Sequence, residues 1–181
     1  MKKLIAGLLV VLMVFALVAC GRGVPDFEDW HTRQLGSMTV RFPTDRIVEE
    51  TVVEEGLEVV TFEGSLTGAS VIAMQMRDMA TLLRDLGMPE ADIAGTVLHG
   101  VLHGGVEGML AEAGGEVRGE SEGTANGIRY FSVYGVTEID SAAFESRAFL
   151  YGDHFYLVTI IWTDANADVV TPFFQSIQFG A

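Results

Sequence analysis

Lysine is nearly missing from this chain: its 181 residues contain Lys2 and Lys3 and no other. Beyond them positive charge rests on nine arginines, against 25 aspartates and glutamates. A body without lysine has no Schiff base, no phosphate-binding P-loop and no lysine general base. The acidic excess argues against a nucleic-acid partner, because phosphate recognition needs a basic footprint. Cysteine occurs once, at Cys20, so no intrachain disulfide framework exists. The longest run without a charged or polar side chain, residues 4–19, has 16 residues and is too short for a comfortable membrane span. The remaining length suits one domain with a sizeable core that needs neither disulfide nor metal staples.

The N-terminus is laid out as a secretory leader. Met1-Lys2-Lys3 is a short positive start, the apolar run follows, and Leu17-Val18-Ala19-Cys20 ends it. This resembles the bacterial lipobox, in which small residues before a cysteine permit cleavage and the cysteine carries lipid. The resemblance implies that residues 1–19 are a lipoprotein signal peptide and that the mature chain is membrane-anchored through acyl chains on Cys20. Stable anchoring takes more than one chain, and an acylated Cys20 is no thiol nucleophile. Gly21 is not the aspartate of inner-membrane retention, which favours the periplasmic face of the outer membrane in a Gram-negative source. Otherwise the outer face of the plasma membrane is expected. Residues 20–34 read as the lipidated cysteine and a short tether, of which residues 21–34 reach about 45 Å when extended. Residues 35–181 read as a single domain.

Strand patterns cover 38–42, stopping at Pro43, then 51–53 and 57–62 as a hairpin across Glu55-Gly56, then 70–76. A short helix is expected over 79–86. A long one starts at Pro89, with Glu90 and Asp92 in its first turn, and ends at Gly114-Gly115. Asn126-Gly127 is the strongest hairpin signal and joins 116–124 to 128–138. Strands 142–151 and 154–162 complete a meander. The last is apolar on both faces, so it belongs in the sheet centre with both sides covered. Thr171-Pro172 suits the start of a terminal helix that closes the chain.

The sum is an α+β fold, a mostly antiparallel sheet packed by one long and one short helix. The Phe-Pro-ended first strand, early hairpin, long helix, meander and closing Phe173-Phe174-Gln175-Ser176-Ile177-Gln178-Phe179 resemble the PsbP-like and DcrB-like lipoproteins. The resemblance implies a PsbP-like sandwich and a small envelope domain that binds or assists another component. It carries no site motif, so no functional residue follows from it.

Four constellations bear on chemistry. His99 and His103 stand at i and i+4 on the long helix and Glu107 continues the stripe, a plausible zinc set with room for a water; a solvated flank is the plainer reading. Gly100 follows His99 where a metalloprotease needs its glutamate. Gly100, Gly104 and Gly108 recur on what reads as the apolar side with Val97 and Val101. That spacing suggests close packing on the sheet, or a groove for an apolar ligand or partner helix. Gly119-Glu120-Ser121-Glu122-Gly123 spells a nucleophile elbow with Asp153 and His154 downstream, but the Asn126-Gly127 hairpin denies it the strand-to-helix turn it needs. Asp164-Ala165-Asn166-Ala167-Asp168 begins like a calcium loop, yet Val169 and Gln175 stand where Gly and Glu are required, and an Asp-capped turn explains it better.

No nucleophile with its base survives, so the chain is expected to be non-enzymatic and to need no cofactor. The leading reading is an envelope lipoprotein that binds or assists an envelope protein. A carrier of an apolar ligand and a metal-binding domain built on His99, His103 and Glu107 are the alternatives.

Overall fold

The computed structural model describes residues 26–54 and 57–180. The leader, the lipobox, Cys20 and the Glu55-Gly56 turn lie outside the described residues. Among the described residues no helix is long and apolar enough to cross a membrane.

Among the described residues ten strands form two sheets. A small one is ordered β1-β2-β10, with β1 at His31–Leu35, β2 at Met38–Phe42 and β10 at Gln178–Phe179. The large one runs β3-β4-β5-β9-β8-β7-β6. Its strands are β3 (Ile47–Glu54), β4 (Leu57–Leu66), β5 (Ala69–Met76), β6 (Gly115–Ala125), β7 (Ile128–Thr137), β8 (Ala143–Tyr151) and β9 (His154–Trp162). Every pairing is antiparallel. β9 is the middle strand, as its two apolar faces require.

The large sheet separates two cores. On one face Trp30, Met38, Phe42, Phe173 and Ile177 pack with Val71, Tyr156 and Val158 beneath the small sheet. On the other, Leu98, Leu102, Val106 and Met109 pack with Met74, Val133, Phe144 and Leu157. The helices are α1 (Met79–Asp85), α2 (Leu98–Ala113) and α3 (Val170–Gln175). Helical turns at Glu90–Asp92 and a π-helical stretch at Ile93–Val97 lead into α2. Gly114, with φ 66°, ends it, a conformation that costs glycine little. The α+β sandwich expected from the sequence is therefore present.

Two boundaries differ from expectation. Residues 31–34 are not tether: they form β1, because His31 to Leu35 pair with Phe42 to Met38 and Leu35 enters the core. The terminal helix does not close the chain. It starts at Val170, so Thr171 and Pro172 lie inside its first turn, and Gln178–Phe179 then leaves it as β10 against β2. Both short edge strands owe their place to the strand between them, a partner no local pattern announces.

Candidate functional site

α2 crosses the sheet above β7 and β8, burying Leu98, Val101, Leu102, Gly105, Val106 and Met109. One flank of that face carries His99 and His103 towards the edge strand β6. There a third group meets them. His99 Nε2 lies 3.2 Å from Glu120 Oε2, and His103 Nε2 lies 3.2 Å from Oε1 of the same carboxylate. The imidazole centroids are 4.3 Å apart, with 39° between the planes. Among the described residues these are the only three His, Cys, Asp or Glu side chains whose donor atoms gather this closely, all within 4.8 Å.

Hydrogen bonding is incomplete within the cluster. His99 and Glu120 are hydrogen-bonded, and this contact, with the second imidazole beside it, holds the Glu120 carboxyl below the usual carboxylate range. His103 Nε2 is shielded from solvent and has no hydrogen-bond partner, although Oε1 is near. His99 also stands edge-on to Phe131, at 5.7 Å and 89°. Over that ring lies the Arg129 guanidinium, 4.9 Å from the centroid and ion-paired with Glu122. Nearby positive charge is thus already matched.

The expected third ligand was Glu107, and the structure replaces it with Glu120. Each i to i+4 step advances about 40° around a helix. Two steps from His99 turn Glu107 away from the sheet edge, and its side chain is exposed. Glu120 was legible by another route. A two-residue turn at Asn126-Gly127 sets the register, and that register places Glu120 opposite Val133, which is fully buried on the helix-facing side. A glutamate at an inward position of a strand was the available signal.

The glycine stripe is also corrected. Val101 is buried, but Gly100 is exposed and Gly104 and Gly108 are half-exposed, so the five residues assigned to a groove, with Val97, do not share one surface. A Cβ on Gly100 or Gly104 would meet nothing within 4 Å, so no close packing on the sheet explains them. The π-helical turn at Ile93–Val97 explains the error. It shifts the phase of the apolar face, so extrapolating from Ile93 and Val97 points to the wrong side further along. Gly105, outside the stripe, is the glycine that faces the core.

The other patterns resolve into structure. Ser121 is mid-strand opposite Ser132, Asp153 is ion-paired with Arg84, and His154 Nδ1 accepts the Asp78 N–H at 3.0 Å. The calcium-like run is a 3₁₀ turn in which Asn166 donates to the Thr67 carbonyl at 2.9 Å, while Asp164 and Asp168 are exposed. It is the expected strand-to-helix turn, though no Asp side chain caps it. Of the strand tyrosines, Tyr156 is buried, whereas Tyr134 is exposed.

The opposite face of the large sheet holds a hollow of about 450 Å³ between α3 and strands β6 to β8. Arg147 lines it, 3.6 Å from the Phe174 ring centroid and 4.5 Å from that of Tyr130. Its Nε donates to Glu145 at 2.7 Å, and Ser132 Oγ donates to the same carboxylate. The pair is four-fifths buried and satisfied on both sides. Sequence reading missed this group because its members come from three elements.

No protein-family model matches the chain, and no curated protein matches it by sequence. Among solved structures it is similar to cyanobacterial PsbP from Synechocystis sp. PCC 6803, with 14% identity and a TM-score of 0.48, covering 91% of this chain and 99% of that one. It is also similar to a Pseudomonas aeruginosa protein of unknown function, with 12% identity and a TM-score of 0.38, covering 79% and 89%.

Proposed function

We propose that this protein is a lipid-anchored domain of the bacterial cell envelope that works by binding or assisting an envelope protein and not by catalysis. The observation that carries the reading is the leader: a basic start, an uninterrupted apolar run, and Leu17-Val18-Ala19 before the only cysteine. Acylated Cys20 then holds an acidic domain close to the bilayer, on the periplasmic face of the outer membrane in a Gram-negative cell. An anionic lipid surface repels such a domain, which leaves its faces open to proteins. The hollow around Arg147 is the surface best suited to a partner. Arginine and aromatic side chains set in a partly desolvated recess are what carries most interface energy elsewhere.

Growth with a labelled fatty acid tests the anchor. The full chain is expected to take up label and sediment with membranes, and Cys20→Ser to lose both. An unlabelled wild type, or a Cys20→Ser variant still labelled, overturns it. For the partner, a photo-crosslinking residue at Gln175, which lines the hollow, is expected to capture one envelope protein. Capture weakens in Arg147→Ala, while the same probe at exposed Leu86 captures none. Equal capture from both positions overturns the assignment of the surface.

A further inference from the structure

The geometry points to a divalent metal site on this domain, in which His99, His103 and Glu120 bind one first-row transition ion, zinc by preference. The inference does not depend on the lipid anchor or on a protein partner.

Three observations carry it. The first is spacing. Bonds of about 2.0–2.1 Å at tetrahedral angles put neighbouring ligand atoms roughly 3.3 Å apart. Each imidazole nitrogen lies 3.2 Å from one of the two carboxylate oxygens, and one donor atom from each residue lies within 4.8 Å of the others, so a modest contraction admits an ion. The second is the solvent-shielded Nε2 of His103, whose 3.2 Å approach to Glu120 Oε1 is not aligned as a hydrogen bond. In the neutral imidazole its lone pair needs a partner, and a cation between the two rings and the carboxylate supplies it without a new desolvation cost. The third is support. The histidines are one turn apart on a helix whose buried face fixes it to the sheet, and the carboxylate comes from a paired strand, so the ligands are held by regular elements.

Ligand chemistry selects the ion. Two imidazoles and one carboxylate suit zinc and its neighbours, whereas calcium and magnesium prefer six or more oxygens. One carboxylate and two neutral imidazoles carry one negative charge against the ion's two positive charges, as at other protein zinc sites that keep water in the fourth position. That position faces solvent here, since His99 and Glu120 are 44% and 48% exposed. An ion so bound ties α2 to β6, which is otherwise one of the two free edges of the large sheet.

The test is zinc titration of the full chain, solubilised in detergent and freed of metal with a chelator. One equivalent is expected to bind, and Tm to rise with zinc but not with magnesium at the same concentration. Cobalt in place of zinc reports geometry: a strong visible absorption band marks four-coordination by nitrogen and oxygen. Glu120→Gln keeps the shape of the side chain and removes its charge, and it should weaken zinc by more than about 100-fold, beyond the roughly 10–100-fold loss usual for an outer-sphere change. His103→Asn should do likewise, and Glu107→Gln should leave affinity unchanged. No binding to the folded wild type overturns the proposal. So does binding that survives both Glu120→Gln and His103→Asn, or that falls in Glu107→Gln.

Discussion

Tyr156 and Gln75 meet in the middle of the protein, with Gln75 Nε2 donating to Tyr156 Oη at 3.1 Å, and both residues are buried. The same oxygen accepts the Ser37 N–H at 3.2 Å. One phenol therefore joins the central strands of the large sheet to the β1–β2 turn. Tyr156→Phe removes the acceptor and leaves two donors short of a partner. A loss of about 1–3 kcal/mol in urea unfolding is expected. A loss below roughly 0.5 kcal/mol would show that other groups replace the phenol.

Glu63 lies half-buried on β4, and burial raises its carboxyl above the ordinary value of 4.5. The folded state thus favours the protonated acid, and the charged form is a cost to stability at neutral pH. That cost is full above the raised folded pKa and fades as pH falls towards 4.5. Glu63→Gln should therefore raise Tm at pH 7, with an advantage that shrinks on acidification and disappears below pH 4.5. Equal Tm at pH 7 would contradict it.

Gly100 and Gly104 sit in a helix interior with nothing within 4 Å of an added Cβ. Each Gly→Ala change should stabilise the isolated protein by roughly 0.5–1 kcal/mol. Gly135 is the contrast. A Cβ there would clash with the Glu116 carbonyl oxygen, so Gly135→Ala should be strongly destabilising. Denaturant midpoints of the three variants check both directions.

Asn126 serves the β6–β7 turn twice. Its φ of 52° is one asparagine tolerates, and its side-chain amide donates to the Ile177 carbonyl at 2.6 Å. Asn126→Gly keeps the backbone and loses the tie, whereas Asn126→Ala loses both. Unfolding should therefore rank wild type above Asn126→Gly and that above Asn126→Ala, with about 1 kcal/mol for the hydrogen bond alone. Equal stability of the two variants would remove the backbone argument.

The large sheet was legible because its strands carry their own signals: the apolar run in 70–76, the Asn126-Gly127 turn, and the doubly apolar β9. β1 and β10 were not, since five residues of mixed polarity and a two-residue strand become strands only through β2. At the candidate metal site helical spacing delivered both histidines, which share one element. Glu120 was harder, being 21 residues from His99 and joined to it by sheet register. The acids of the β3–β4 hairpin likewise depend on sheet context for their roles. Glu49 is exposed on a free edge, where charge discourages pairing with another chain, and Glu58 instead binds Arg77 at 2.7 Å.

The position of β10 has a consequence for the order of events in biogenesis. β2 pairs on one side with residues 31–35 and on the other with residues 178–179, and Phe173, Phe174 and Ile177 fill the core beneath. A chain emerging from its N-terminus cannot complete the sheet it began until nearly 150 further residues have arrived, and such distant pairings form late. The domain therefore stays open while it is being made. On the export route proposed from the leader, where the chain would cross a membrane before folding, that delay would keep it fit for transport.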